Sequence, residues 1–373
     1  MAWQTTCWVY KTMQCVIKRS LLFSLNFANT GKLSFLENLW HEYQKACQYF
    51  VDIGYENKTL PSYADVKAYP YPTWLSKRYL GCALEQAKAI LKSSFKNPQK
   101  PQFKKPALKL DSRFYKIERG RNSFDFWLLL RDPQNQRWIA FPFKSYGYAR
   151  PYFRDWKLCS KIELLKRGGR WYLKLVFEKE VKLEGKKPKG IDIGYRKLLA
   201  TSDGETFGEE IKEIIEKRIE RKKQGSRSWK RARHFLKTEI NRVLKKAIDG
   251  SFSPVLERLK NLKKGKRGVW SRSVNRKFNH WLYGYVLRRI RELCEVAGVQ
   301  LYIVPPAYTS RTCPECGCQD KMNRNGEHFK CLQCGYEADA DVVGARNVLL
   351  RFTRELIVPL PAKSHPVEYS SIG

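Results

Sequence analysis

The chain has 373 residues, 43% of them hydrophobic and 13% aromatic, which excludes global disorder and allows two or three domains with cores of their own. Lysine and arginine number 72 against 36 acidic residues, so the formal net charge is +36, and such a chain repels itself unless a polyanion neutralises it. No apolar run approaches the ~18 residues of a membrane span and the chain start shows no secretory signal pattern, so nucleic acid is favoured over a membrane as the partner.

The N-terminal segment of the sequence predicts strands followed by helices. Residues 7–27 are β-like and carry no helix cap, which predicts one or two strands. A capping-box pattern at Ser34 and Glu37 opens a run of apolar residues at helical spacing that continues to Gly54. A second amphipathic helix is predicted over residues 75–92.

Strand patterns return after this helical stretch. Residues 97–110 are rich in lysine, proline and glutamine, which predicts a basic connector. Two pairs of β-rich runs predict hairpins, the second across Gly168-Gly169: 124–131 with 137–144, and 162–165 with 171–177. These hairpins favour a small barrel or sandwich that a helical insertion at residues 30–95 interrupts.

The segment Gly190-Ile-Asp-Ile-Gly194 predicts a strand and a turn, and an antiparallel partner starts at Lys197. Asp192 lies between two isoleucines at the edge of this predicted buried sheet. A carboxylate in such a place is unfavourable unless a cation meets it. From this segment alone, a structural aspartate and a functional carboxylate both stay open.

Residues 217–237, the acid-poor run, contain ten lysines or arginines and one glutamate. A solvated charged helix would need interspersed acids, so their shortage favours a helix that faces phosphates. The predicted nucleic-acid contacts in this run are Lys222, Lys223, Arg227, Lys230, Arg231 and Arg233. Further contacts are predicted at Lys104 and Lys105 in the basic connector and at Ser310 and Arg311.

Beyond the acid-poor run, Glu257 lies in the segment Pro254-Val-Leu-Glu-Arg-Leu259. A long helix is predicted over residues 275–297, with Gly298 as its C-terminal stop. Residues 299–304 then form an apolar run that predicts a buried strand.

Four cysteines follow that strand in two C-x-x-C pairs, Cys313 with Cys316 and Cys331 with Cys334, with 14 residues between the pairs. Each pair offers two thiolates to one tetrahedral Zn²⁺, and the glycines behind the pairs permit the tight turns of such knuckles. Cys318 is an alternative ligand, although the C-x-x-C register favours Cys316. The other seven of the eleven cysteines are scattered, which indicates a reducing, cytoplasmic setting.

Four motifs stand in one order along the chain: Gly190-Ile-Asp-Ile-Gly194, Val255-Leu-Glu-Arg-Leu259, Tyr308-Thr-Ser-Arg-Thr-Cys-Pro-Glu-Cys-Gly317 and Asp341-Val-Val-Gly-Ala-Arg-Asn347. Together with the four-cysteine hairpin they resemble the TnpB family of transposon-encoded RNA-guided nucleases and the miniature type V CRISPR effectors related to it. The motifs cover residues 190–350. The layout of residues 1–183 is similar to the family's wedge domain interrupted by a recognition lobe.

The resemblance implies an α+β multidomain fold, with a barrel-like wedge domain, a helical insertion and an RNase H-fold RuvC-like nuclease that a zinc ribbon interrupts. The implied wedge domain has two segments, 1–30 and 97–183, and the recognition lobe at 31–96 separates them. The implied nuclease domain also has two segments, 184–308 and 337–358, and the zinc ribbon at 309–336 separates them. A tail at 359–373 follows.

The resemblance also implies a catalytic triad of Asp192, Glu257 and Asp341 that binds Mg²⁺, two ions in all, beside a structural Zn²⁺. The chain departs from the family in the middle of its last motif and in the Ser-Phe-Ser-Pro that precedes Glu257, and Asp339 is a distant alternative to Asp341. The implied activity is RNA-guided DNA cleavage in a prokaryotic cytoplasm, near the nucleoid. The implied partners are guide RNA and double-stranded target DNA, without a membrane or a small-molecule substrate.

Two other functions remain open on the sequence. One is an RNA-guided DNA-binding protein or repressor that does not cleave, which loss of a triad acid would indicate. The other is a zinc-ribbon nucleic-acid-binding protein that needs no guide.

Overall fold

A computed structural model of the chain describes residues 13–95, 97–104, 107–121, 123–258, 282–306 and 308–354. These residues divide into two units. The N-terminal unit holds residues 16–179, and the C-terminal unit holds residues 13–15 and 180–354. No helix in the described ranges combines the length and the apolar character that a membrane crossing requires.

The N-terminal unit is built on two antiparallel sheets. The first has the strand order β1-β8-β7-β2, with β6 also paired to β8, and the second has the order β3-β4-β5. As far as the chain is described, neither sheet closes into a barrel. The strands are β1 Met13–Ser24, β2 Ala107–Asp111, β3 Tyr115–Arg119, β4 Phe126–Arg131, β5 Trp138–Phe143, β6 Lys157–Leu158, β7 Lys161–Arg167 and β8 Arg170–Leu183.

Local turn chemistry explains the two predicted hairpins, and both are confirmed. β4 pairs with β5, and β7 pairs with β8 across Gly168 and Gly169, which both adopt positive φ. The prediction of a basic connector over residues 97–110 is wrong for the C-terminal end of this segment. Leu108 and Leu110 both point into the core there, and this alternation forms strand β2 on β7.

Helices α1 Thr30–Glu56, α2 Tyr63–Lys67, α3 Lys77–Ser94 and α4 Arg150–Asp155 complete the N-terminal unit. Helix α1 begins earlier than predicted, because Asn29 caps it by accepting the N–H of Lys32 at 3.0 Å. The predicted capping box is therefore wrong. Glu37 accepts instead from Lys166 Nζ at 2.7 Å and from Trp171 Nε1 at 3.2 Å, which ties α1 to the β7-β8 hairpin.

The C-terminal unit is built on a five-stranded sheet with the order β11-β10-β9-β12-β13. Strands β9, β10 and β11 are antiparallel neighbours, whereas β12 runs parallel to both β9 and β13. A mixed sheet of this kind needs helical crossovers between its parallel strands. Its strands are β9 Pro188–Asp192, β10 Leu199–Thr201, β11 Thr206–Phe207, β12 Ser253–Glu257 and β13 Tyr302–Val304.

The helices of this unit are α5 Glu210–Ile214, a π-helical turn Ile215–Ile219, α6 Arg227–Ala247, α7 Tyr283–Ala297 and α8 Ala340–Arg354. Helix α7 ends as predicted at Gly298, whose φ is +68°, while residues 275–281 of the predicted helix lie outside the described ranges. The acid-poor run is not one continuous helix, because a turn with Gly225 at φ +84° separates the π-helical turn from α6.

Three short strands, β14 Arg324–Asn325, β15 His328–Lys330 and β16 Glu337–Asp339, form an antiparallel sheet between β13 and α8. Strand β16 leads directly into α8, so this small sheet and the start of that helix are held together by the chain itself.

Helix α8 packs on strand β9 where Gly190 removes a side chain. A Cβ on Gly190 would lie 2.1 Å from the carbonyl oxygen of Ala345, so Gly190→Ala should push the helix away from the sheet. We expect a loss of about 1–3 kcal/mol or more in the free energy of unfolding, measured by urea denaturation. Gly284→Ala on α7 is the matched control, because nothing lies within 4 Å of a Cβ there. Equal stability of the two variants would contradict the close packing.

Candidate active site and metal centre

Three carboxylates from distant regions of the sequence meet at one end of the C-terminal sheet. Asp192 ends β9 and Glu257 ends β12, and the parallel register that places Leu256 opposite Ile191 brings these two ends side by side. Asp341 lies in the first turn of α8.

Two glycines let helix α8 approach Asp192 closely. A Cβ on Gly344 would lie 3.1 Å from Asp192 Oδ2, and a Cβ on Gly194 would lie 3.7 Å from Asp341 Oδ2. Gly344 belongs to the middle of the last motif. The lack of a side chain at this position leaves room for the Asp192 carboxylate.

Burial and mutual repulsion make this site unfavourable for negative charge. Burial, followed by the nearby charges of Glu257 and Asp341, raises the pKa of Asp192 to about 7. Burial also raises the pKa of Glu257. Two buried acids that resist ionisation, with the carboxylate of Asp341 beside them, form a site where a cation would be bound strongly.

The positively charged side chain of Arg324 lies at this acidic site. Its Nη2 donates to Asp341 Oδ1 at 2.9 Å, and its positive charge opposes the rise in the pKa of Asp192. Sequence reasoning missed Arg324, since nothing in the β14-β15 turn indicates which way its side chain extends. Its position between the two cysteine pairs was the available signal.

Thr309 is a second contact that the sequence did not reveal. Its hydroxyl donates to Glu257 Oε1, and this bond opposes the rise in the pKa of that carboxyl. Thr309 is buried and follows β13, the strand beside β12. The loop that enters the four-cysteine region therefore orients the second carboxylate.

Asp339, the alternative to Asp341, is occupied elsewhere. Its Oδ1 accepts the N–H groups of Asp341 at 3.0 Å and of Val342 at 3.2 Å, and Oδ2 accepts from Lys197. Asp339 thus caps helix α8 and holds the backbone of Asp341 in place.

The four predicted zinc ligands come together in the zinc hairpin (residues 309–336). The sulfur atoms of Cys313, Cys316, Cys331 and Cys334 all lie within 4.8 Å of one another. The Cys313 and Cys334 sulfurs are 3.6 Å apart, and those of Cys316 and Cys331 are 3.5 Å apart. Tetrahedral Zn–S bonds of about 2.3 Å require sulfur separations of about 3.8 Å, so the donor set fits zinc.

Backbone N–H groups prepare the second knuckle for a metal. The N–H of Cys334, and then that of Gln333, donate to the Cys331 sulfur and lower the pKa of this thiol to about 6. Cys318 contributes through its backbone, because its carbonyl oxygen accepts the N–H of Cys313 at 2.8 Å. Its sulfur does not belong to the four-sulfur group.

The three carboxylates are less tightly grouped than the thiols. Within the described ranges, the cysteines are the only set of three or more acidic, histidine or cysteine side chains whose ligand atoms all lie within 4.8 Å. The three acids therefore form a looser group than the cysteines, although Glu257 and Asp341 both lie close enough to act on Asp192.

The predicted nucleic-acid contacts occupy several surfaces. Lys222 and Lys223 lie in the turn before α6, while Arg227, Lys230 and Arg231 are on that helix and are exposed. Arg311 is exposed and Ser310 is half-buried in the zinc hairpin, Lys104 is exposed in the N-terminal unit, and Lys105 lies outside the described residues.

Helices α6 and α7 gather cations over aromatic rings. Arg233 lies over the Trp229 ring at 4.9 Å, and Lys237 and Arg288 both lie 5.4 Å from the centre of the Tyr285 ring. Burial lowers the pKa of Lys237, and the charges of Arg233 and Arg288 lower it further. Such a group of like charges is stabilised by an anion.

The C-terminal unit thus combines a mixed sheet that has carboxylates at one end with a four-cysteine hairpin that fits a structural zinc. A profile of the Cas12f1-like TNB domain matches residues 283–348. A TnpB-like protein of Aquifex aeolicus is 28% identical in an alignment 235 residues long that covers 51% of this chain and 76% of that protein. The chain is therefore similar to TnpB-like proteins and to the miniature type V effectors.

Two further matches concern Cas12f1. The CRISPR-associated endodeoxyribonuclease Cas12f1 of Sulfoacidibacillus thermotolerans is 41% identical over 81 residues, which are 21% of this chain and 19% of that protein. A Cas12f1-sgRNA-target DNA complex contains a chain with a TM-score of 0.54 and 16% identity, over 86% of this chain and 83% of that one. At this identity the structural likeness concerns the fold alone.

Proposed function

We propose that this protein is an RNA-guided DNA endonuclease in which Asp192, Glu257 and Asp341 form the catalytic site. The observation that carries the proposal is the meeting of three acids, from β9, β12 and α8, at one end of one sheet. The relatives support the activity, since one is named an endodeoxyribonuclease and one solved complex contains guide RNA and target DNA.

The order of three antiparallel strands followed by two parallel ones supports an RNase H-like, RuvC-type nuclease in the C-terminal unit. In this proposal the zinc hairpin interrupts the nuclease before α8. The N-terminal unit is then the wedge domain, with α1 to α3 as its recognition insertion.

The donor chemistry of the acidic site fits Mg²⁺, which prefers carboxylate oxygens and retains several waters. Two such ions, when bound, would activate water and stabilise the leaving oxygen of a phosphodiester. Asp192, Glu257 and Asp341 would hold the ions, and the charges of the other two acids both act on Asp192. Thr309 would orient Glu257, and the Asp339 cap would orient the backbone of Asp341.

Arg324 would act beside these ligands as a positioning residue. Its bond to Asp341 connects the zinc hairpin directly to the acidic site. The guanidinium balances some of the negative charge and orients the Asp341 carboxylate.

Recognition of the target would come from base pairing, with the protein reading a short flanking motif and the shape of the duplex. A DNA-binding protein or repressor without cleavage is the second candidate, but the presence of all three acids favours the nuclease. A guide-independent zinc-ribbon protein is the third candidate.

Sequencing of the RNA that copurifies with the full chain tests the guided function. We expect one defined RNA, and the purified complex should cut DNA that matches the variable end of that RNA and leave unrelated DNA intact. An RNA population without a common sequence, together with unselective DNA binding, would favour the guide-independent alternative.

The cations of the acid-poor run should bind the nucleic-acid backbone. We expect the double variant Lys230→Glu and Arg231→Glu to weaken binding of the guide or target, because fewer counterions are released when fewer phosphates are neutralised. The slope of log K against log salt should flatten by about 0.7–0.9 for each phosphate that is no longer neutralised. The measurement is a salt titration of binding by fluorescence anisotropy.

The matched control for this prediction is the double variant Lys245→Glu and Lys246→Glu, which reverses two exposed charges near the other end of α6. Its salt slope should stay close to that of the unmodified protein. An unchanged slope in the first variant would mean that the acid-poor run is an ordinary solvated surface.

A further inference from the structure

A cleft of about 210 Å³ lies between the first cysteine knuckle and the last turns of helix α8. Its walls include Thr309, Thr312, Pro314, Asn347, Arg351 and Arg354. All of these residues belong to the C-terminal unit, and none of the residues that line the cleft is acidic.

Two guanidinium groups face this cleft. Arg351 and Arg354 are three positions apart on α8, a spacing that places side chains on one face of a helix. Arg351 Nη1 donates to the carbonyl oxygen of Pro305 at 2.9 Å, which restrains its side chain, whereas Arg354 is exposed. The cleft is therefore concave, and both charged residues that line it are positive.

The floor of the cleft is fixed by a buried amide. Asn347 is 7% exposed, and its Nδ2 donates to the carbonyl oxygens of Thr309 and Thr312, both at 2.7 Å. These two bonds hold the loop between β13 and the first knuckle against α8. The shape of the cleft is thus preorganised.

The cleft adjoins the acidic site. Thr309 lines it and also donates its hydroxyl to the Glu257 carboxylate. Arg351 lines it as well, and its positive charge acts on the same carboxylate. A ligand in the cleft would therefore lie next to the end of strand β12.

We propose that this cleft binds one phosphodiester group of the DNA strand being cut, adjacent to the phosphodiester that is cleaved. The inference rests on the proposed nuclease function and adds a substrate subsite to it. Guanidinium groups bind phosphate oxygens through two hydrogen bonds, and the volume suits a single sugar-phosphate unit and not a duplex. The subsite would hold the strand in register with the carboxylates.

The competing role for these arginines is neutralisation of the four thiolates, because Cys313 borders the same cleft. In that case the arginines would serve metal retention and not the substrate. Zinc content is therefore measured alongside DNA binding.

The test uses the full chain with its copurified RNA, without Mg²⁺, and a fluorescein-labelled single-stranded DNA of about 12 nucleotides. Arg354→Gln should weaken binding severalfold and flatten the salt slope by about 0.7, while the control Lys245→Gln changes neither. A single-stranded RNA of the same sequence is the second probe. Equal binding of DNA by both variants would overturn the proposal, as would loss of zinc from Arg354→Gln.

A charge-deleted substrate locates the bound phosphate. The cut position is first mapped with the unmodified protein, and a single methylphosphonate is then placed one phosphate to either side of it. One of the two placements should weaken binding by the unmodified protein and have no additional effect in Arg354→Gln. If neither placement has an effect, or if Arg354→Gln weakens RNA as much as DNA, the cleft does not hold the cut strand.

The outcome for the subsite is separable from the outcome for the proposed function. If Asp192→Ala abolishes cleavage and Arg354→Gln binds DNA normally, the subsite proposal is rejected and the nuclease proposal stands. If Asp192→Ala still cleaves DNA and Arg354→Gln binds DNA more weakly, the proposed catalytic site is rejected and the phosphate-binding cleft stands.

Discussion

Replacement of Asp192 by alanine should lower the rate of DNA cleavage by about a thousandfold or more, which corresponds to about 4 kcal/mol of transition-state stabilisation. The reason is that the substitution would remove one of three carboxylates that would hold the metal, and it is the one on which both other acids act. The measurement is single-turnover cleavage of matched DNA in Mg²⁺. Binding of the target should persist in the same variant, because pairing and backbone contacts lie elsewhere.

Conservative variants separate catalysis from folding. Asp192→Asn, Glu257→Gln and Asp341→Asn keep side-chain size but lack the charge that divalent ions require, so each should be nearly inactive. Asp249→Asn is the matched control, since Asp249 is an exposed acid whose carboxylate accepts only from its neighbour Ser251 among the described contacts. Robust cleavage by Glu257→Gln would show that Glu257 is not part of the catalytic site.

Metal-free stability gives a readout that does not depend on activity. The pKa of Asp192 is raised from 3.8 to about 7, so the folded state binds a proton between these values that the unfolded state has released. Stability of the metal-free protein should therefore fall as the pH rises through this window. Asp192→Asn should raise the melting temperature more at about pH 8 than at about pH 4, and added Mg²⁺ should stabilise only the unmodified protein.

Loss of zinc should have the largest effect on stability. A structural Zn²⁺ contributes on the order of 10 kcal/mol to folding of a small domain, and the zinc hairpin has only a small apolar cluster around Phe329. Cys331→Ser should therefore release the metal and unfold the hairpin. Cleavage should fail as well, because Arg324 would no longer be held against Asp341. Elemental analysis and thermal unfolding measure the two effects.

Cys318→Ser is the matched control for this variant. Its sulfur lies outside the four-sulfur group, and the carbonyl oxygen that accepts from Cys313 is unaffected by the substitution. We expect about one zinc per chain and a small change in melting temperature. Damage equal to that of Cys331→Ser would show that Cys318 is a ligand, and active protein without zinc would end the zinc assignment altogether.

Features encoded within a few neighbouring residues could be predicted from the sequence. The β7-β8 hairpin follows from two glycines between apolar strands, and the end of α7 follows from Gly298 in the left-handed region. The spacing within each C-x-x-C pair is likewise a local property, and the motifs that hold Asp192, Glu257 and Asp341 were recognisable by their order.

Contacts between distant residues were decided by the tertiary structure. Ser34 and Glu37 match a capping box, yet Asn29 caps the helix and Glu37 bonds to Lys166 and Trp171, because packing against the β7-β8 hairpin outweighs a local signal.

The acidic site shows the same division. The sequence by itself determined which acids and cysteines are available, since residue type and short-range spacing are written in it. Only the strand order β9-β12 and the approach of α8 over Gly190 and Gly344 decided that the acids meet and that Arg324 and Thr309 join them. Those contacts depend on sheet register and helix packing, which are set by the burial of whole elements and leave no short-range pattern.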